Sequence, residues 1–228
     1  ETAYKTAAVS KDERKQVLMN QPKCNPEIIY NFVDENKYQI SLEKRNNVFT
    51  IITILNSLPI KGYDTFLKAI AEINKVTNDF KFVMIGKGGD KNATDSASNI
   101  FVKMSKELGV YDFGEFYPFI PRDQVSNFLN TAHVFVSPTI QEPHGIAVRE
   151  AMMCGLPIVT TANGGVEDSI HEKIGLITSV KEPKDLSEAI LVIKNKYSNY
   201  CPEEIRKMAV QQCGQATFLS SMIKFYKF

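Results

Sequence analysis

Glu142 and Glu150, with seven residues between them, lie in the stretch Ser137-Pro138-Thr139-Ile140-Gln141-Glu142-Pro143-His144-Gly145-Ile146-Ala147-Val148-Arg149-Glu150-Ala151. An ionised carboxylate accepts hydrogen bonds through two oxygens, so a pair of them matches a ribose diol or vicinal sugar hydroxyls better than a phosphate. The apolar spacing over 145–153 predicts a helix. Glu142 then sits on the loop before it and Glu150 within it. The Cα–Cβ bond of Glu150 tilts toward the helix N-terminus, so both carboxylates can lean toward one crevice. Backbone N–H groups around Gly145, Ile146 and Ala147 would face an anion or a sugar hydroxyl, and Gly145 has no Cβ to keep a ligand away. Spacing alone leaves a plainer alternative open, a solvated face with two surface acids. His144 is either a proton donor to a phosphate or a residue filling its loop position through backbone geometry, and the second reading is preferred.

Two other loops carry cations. Asn56-Ser57-Leu58-Pro59-Ile60-Lys61-Gly62 ends with Lys61 at the start of a predicted helix, where a cation is opposed by the helix dipole unless an anion lies between them. Gly86-Lys87-Gly88-Gly89-Asp90 offers flexible backbone and one positive charge to a phosphate or sugar. It has neither the Walker nor the dinucleotide spacing, so a plain tight turn is the alternative. The three histidines include no HExxH, and the chain holds no CxxC and no DxD pair, so no metal site is expected.

The elements that must position these loops alternate. Short β-branched runs at 48–55 (VFTIITIL), 82–85, 113–117, 133–136, 156–161 and 175–178 read as strands buried on both faces. Helical spacing over 61–76, 97–108, 122–130 and 145–153, and from Pro183 onward, fills the intervals. This order predicts an α/β fold, a Rossmann-like doubly wound parallel sheet covered on both faces, with the three loops beyond the carboxyl ends of its strands. A strand over 4–9 with a helix after it stands outside that unit. From Cys201 two trailing C-terminal helices with a break at Gly214 need another surface to pack on. The expected division is 1–40, 41–200 and 201–228.

Of the 228 residues, 43% are hydrophobic, enough for a full core, and the net charge of +1 gives no global field to attract nucleic acid. Four cysteines without metal or redox spacing suit a reduced, cytoplasmic protein. The absence of any apolar run of about 18 residues leaves, at most, peripheral membrane contact through the basic, aromatic tail.

SPTIQEPHGIAVREAMMCGLPIVTTANGG resembles the signature of the retaining, GT-B-type glycosyltransferases of family 4, with its E-x7-E motif, its helix-strand and its GG turn. KGYDTFLKAIAEI, FKFVMIGKGG and FYPFIPRDQVSNFLNTAHVFVSP resemble further segments of that family, and KTAAVSKDERKQVL with IIYNFVD resembles the end of its N-terminal domain and the interdomain linker. The resemblance implies the donor-binding half of a transferase that moves a sugar from a nucleoside-diphosphate sugar, UDP-sugar favoured, to a saccharide or glycolipid acceptor. It also implies a final helix (FLSSMIKFYKF) packed on an N-terminal domain that lies outside the chain and without which transfer fails. By the same resemblance Glu150 would bind the ribose and Lys61 the diphosphate, while Glu142, Pro143, His144, Gly145, Ile146 and Ala147 would hold the sugar. Phe119 and Ile120 would frame the base, with Gly86, Lys87, Gly88, Gly164 and Gly165 along the cleft. No cofactor is implied. Asn56 stands where the family usually has an arginine, and supplies hydrogen bonds but no charge. That departure motivates the alternative of a non-catalytic nucleotide-sugar-binding module. Phe32, Pro118 and His144 are lesser departures.

Overall fold

The computed structural model describes residues 5–88 and 99–227. Its main sheet has six parallel strands: β3 (Thr50–Ile54), β4 (Lys81–Ile85), β5 (Gly114–Tyr117), β6 (Val134–Ser137), β7 (Ile158–Thr161) and β8 (Gly175–Thr178), in the spatial order β5-β4-β3-β6-β7-β8. β3 pairs with both β4 and β6, with Ile51 opposite Phe82 on one side and Val134 on the other. The chain winds outward from β3 in one direction and from β6 in the other, so their junction is the topological switch point.

Alternation along each strand sends apolar side chains to two separate cores. Ile52, Val83, Phe135 and Ile158 pack beneath α4 (Val125–Thr131), α5 (Ile146–Met153) and α7 (Pro202–Cys213). Ile51, Phe82, Met84, Val134 and Val159 pack beneath α2 (Tyr63–Asn74), α3 (Ile100–Glu107) and α6 (Pro183–Asn195). Each such side chain, fully buried, contributes about 1.5–3 kcal/mol. The surface that the first trailing helix needs is α5, against which α7 buries Ile205, Ala209 and Cys213. The second, α8 (Gln215–Tyr226), has no fully buried residue. His133 accepts the Thr50 N–H on Nδ1 at 3.0 Å, and burial pushes its imidazole down to about 4.

The strand expected over 4–9 is β1 (Ala7–Ala8), paired in parallel with β2 (Glu27–Ile28) across α1 (Lys11–Asn20); Tyr4 lies outside the described residues. Ser10 caps α1 by accepting the Glu13 N–H at 3.1 Å, and Glu13 accepts in return from Val9 N at 2.6 Å, a variant of the capping box. The helix expected over 97–108 is α3, from Ile100, residues 97 and 98 lying outside the described residues, and two other helix starts differ from expectation. Residues 121–124 form a turn closed by Gln124 N to Pro121 O at 2.9 Å, so Arg122 stays in the loop before α4. The 61–76 helix is split: Pro59–Lys61 is a 3-10 turn, Gly62 is left-handed at φ 69°, and α2 starts at Tyr63. Among the described residues no helix is long and apolar enough to cross a membrane.

Candidate functional site

α2 and α5 leave β3 and β6 toward opposite faces of the sheet, and a cleft of about 590 Å³ opens between them at the switch point. Asn56, Lys61, Gly86, Lys87, Phe119, Ile120, Glu142, His144, Gly145, Ile146 and Ala147 line it, so all three loops singled out by sequence meet there. Gly89 and Asp90 lie outside the described residues. Two left-handed glycines set the geometry. A Cβ on Gly62 would stand 2.0 Å from Pro138 O, so only glycine lets the Lys61 turn press against the acidic loop. A Cβ on Gly145, at φ 65°, would stand 2.1 Å from Val166 Cγ1.

Lys61 is not the first residue of a helix, as its sequence position suggested, but ends the 3-10 turn, and the anion opposite it belongs to the protein. Its Nζ donates to Glu142 Oε2 at 2.7 Å, and both side chains are half-buried. The other oxygen, Glu142 Oε1, accepts from Gly145 N at 3.2 Å and His144 N at 3.4 Å. Glu142 therefore occupies the N-terminal end of α5, where backbone donors and the helix dipole favour negative charge. Burial alone would push this carboxyl up; the Lys61 ammonium and the two N–H groups outweigh it and hold it below its ordinary value.

Glu150 does not line the cleft. One turn deeper along α5 and almost buried, it accepts the Tyr38 hydroxyl on Oε1 at 2.8 Å, with Arg122 Nη2 3.6 Å from the same oxygen. Burial raises its pKa, offset by Tyr38 and Arg122. Pro143 is exposed next to Glu142, and Gly88, which does not line the cleft, packs against the Asn99 side chain. Gly165 backs the acidic loop, since a Cβ there would come 2.3 Å from Glu142 O, whereas Gly164 faces Asp12 of α1. Asn56 is exposed, with Oδ1 accepting the Leu58 N–H at 3.0 Å, which leaves its amide NH2 as the donor for the cleft. Both ring nitrogens of His144 are buried without a partner among the described residues; burial and the Arg149 charge hold the imidazole below its ordinary value and keep it neutral.

Sequence reasoning missed the groups behind the loop. Arg149, wholly buried, donates to His144 O at 3.3 Å, Gly165 O at 3.4 Å, Ser169 Oγ at 3.0 Å and Gln212 Oε1 at 2.6 Å, and its guanidinium lies 4.6 Å over the Tyr30 ring. Asn163 accepts the Glu142 N–H on its carbonyl at 2.9 Å and the Gly165 N–H on Oδ1 at 3.1 Å. An arginine beside Glu150 on a helix whose other residues between Ile146 and Met153 are apolar was the available signal. Among the described residues no cluster of three or more His, Cys, Asp or Glu side chains could hold a metal ion.

The arrangement offers a half-buried cation, a carboxylate that can turn between that cation and a ligand, and the donors of a helix N-terminus. The chain as a whole is similar to known proteins. A D-inositol 3-phosphate glycosyltransferase of Frankia alni is 26% identical over 135 residues, 58% of this chain and 33% of that protein. The uncharacterized glycosyltransferase YqgM of Bacillus subtilis is 26% identical over 174 residues, 75% of this chain and 46% of that protein. The chain thus spans less than half the length of these curated relatives. Among solved structures, sucrose-phosphate synthase from Thermosynechococcus elongatus superposes with a TM-score of 0.87 at 19% identity, covering 99% of this chain and 58% of that one. Anabaena HepE, in complex with UDP and glucose, gives 0.80 at 19% identity, covering 97% and 62%. These likenesses establish a GT-B type of fold. The model of the family described as glycosyl transferases group 1 matches residues 34–209, a span that takes in the whole main sheet and both acids of the loop, and the chain belongs to that family.

Proposed function

We propose that the chain is the donor-binding half of a retaining glycosyltransferase that takes a UDP-sugar and passes its sugar to a saccharide or glycolipid hydroxyl, the acceptor being held mainly by an N-terminal domain. The observation that carries this reading is the Lys61–Glu142 pair against the N-terminus of α5, at the mouth of the switch-point cleft. In a diphosphate displacement the enzyme's contribution is mostly electrostatic and positional. Lys61 and the first N–H groups of α5 would take the charge of the departing diphosphate. Glu142, released from them, would orient the donor sugar. Ile120, with the exposed Phe119, would bracket the base, and Glu150, 3.6 Å from Arg122 two residues after Ile120, would hold the ribose. Asn56 brings only an amide, so Lys87, on the same cleft, supplies the second positive charge. This scheme places no metal or cofactor in the site. UDP is favoured by the UDP complexes of structural relatives such as HepE. Four cysteines, all of them free, suit a reducing cytoplasmic setting.

Calorimetric titration of the chain with UDP-, GDP- and ADP-sugars tests the proposal. Binding of the UDP-sugar, lost in Glu150→Gln, is the expected result. No binding to any of the three would overturn the donor reading, and binding untouched by Glu150→Gln would remove Glu150 from it.

A further inference from the structure

The second acid of the loop is held from outside the sheet. Tyr38, 3% exposed, donates its phenol hydroxyl to Glu150 Oε1. The segment that carries Tyr38 is fixed to other elements by its main chain and by the Glu35 side chain. Val33 N–H donates to Cys213 O at 2.9 Å, and Gln215 N–H to a Glu35 carboxylate oxygen at 2.9 Å. Arg206 of α7 donates to Glu35 O at 2.6 Å, to Met153 O at 2.5 Å and to Tyr38 O. The Tyr38 ring packs in the core shared by α5 and α7, so its hydroxyl reaches Glu150 from a rigid base. Arg122, the cation nearest the same oxygen, is 75% exposed and has no such anchoring. Glu150 Oε2 accepts no hydrogen bond among the described residues.

A phenylalanine would fill the same space, so the hydroxyl needs a reason beyond packing. Left without it, a nearly buried carboxylate would swing about its side-chain torsions and take up a proton more readily, and a protonated carboxyl is a poorer acceptor for a diol. We infer that Tyr38 is a positioning residue for the nucleotide: its hydroxyl locks the Glu150 carboxylate by one oxygen and presents the other to the ribose hydroxyls. This rests on the reading of Glu150 as the ribose acceptor given above.

The test is a cycle between protein and ligand. UDP and its 2′,3′-dideoxy analogue are titrated into the unmodified chain and into Tyr38→Phe, with thermal melting as the check on folding. The unmodified chain is expected to prefer UDP by about tenfold or more. Tyr38→Phe is expected to weaken UDP by about fivefold while leaving the dideoxy analogue nearly unchanged, so that the preference shrinks. A merely structural role would weaken both ligands alike, and an undiminished preference in a folded Tyr38→Phe overturns the inference while leaving the donor reading intact. Failure of the unmodified chain to bind UDP removes the donor reading and this inference with it. Should Tyr38→Phe not fold, a ring-fluorinated tyrosine at the same position, with a more acidic hydroxyl, is expected to keep or widen the preference; a narrowed one would count against the hydroxyl's role.

Discussion

Lys61 and Glu142 stand 81 positions apart in the chain and meet at 2.7 Å, with the carboxylate also on the N–H groups of Gly145 and His144. A ligand anion arriving at this helix N-terminus competes with an internal one, and Lys61 is the group both would share. The charge should therefore be felt by a diphosphate and not by an uncharged nucleoside. Lys61→Ala is expected to weaken UDP by about tenfold and uridine hardly at all, measured by titration calorimetry. Equal losses for both would mean that Lys61 shapes the loop without meeting the phosphates. The E-x7-E spacing and the loop before α2 made both acids and Lys61 candidates, and the family resemblance gave them their expected roles. Sequence did not show that the acid already answers the lysine, because pairing depends on how closely the Gly62 turn approaches Pro138.

At the scale of the element, α5 joins the acidic loop to the rest of the domain through Arg149. Its guanidinium satisfies two loop carbonyls, a serine hydroxyl and the Gln212 side chain at once. Replacing it with methionine fills most of the volume but leaves the His144 and Gly165 carbonyls without this donor, each at a cost of about 1–3 kcal/mol, while Gln212 Oε1 keeps the Ser169 hydroxyl. Arg149→Met is therefore expected to destabilise the chain by about 3 kcal/mol in denaturant unfolding, and Arg149→Lys to recover little, because one ammonium cannot span the four acceptors. A loss under about 1 kcal/mol would show that water replaces the guanidinium there. The helix itself was legible from its apolar spacing. The buried cation on it was not, because its partners at 165, 169 and 212 come from two other segments, the loop after β7 and α7.

For the whole molecule, the two trailing helices differ in kind. α7 belongs to the core under α5 through Ile205, Ala209 and Cys213, whereas α8 buries no residue fully and touches the segment between β2 and β3 through Phe218 against Phe32, ring centroids 6.1 Å apart. A chain shortened to end at Cys213 is expected to keep a cooperative thermal transition, and one ending at Tyr200 to lose it. Ile205→Ala, a milder probe of the same packing, should cost about 3 kcal/mol. A cooperative transition in the chain ending at Tyr200 would show that the sheet and its five other helices suffice.

Sequence alone determined the alternation of strands and helices, the parallel sheet, and the identities of the three loops that meet at its carboxyl ends. Those follow from local periodicity and from the handedness of crossovers, which any stretch of chain carries within itself. Only the tertiary structure decided that Glu142 is paired with Lys61 while one oxygen of Glu150 is held by Tyr38, 112 positions distant. It also decided that α7 closes one core and that Asn56 spends its carbonyl on its own turn. Each of these depends on which groups come within hydrogen-bonding or packing distance after the sheet is wound, and such closures between distant segments leave no periodic trace in the chain.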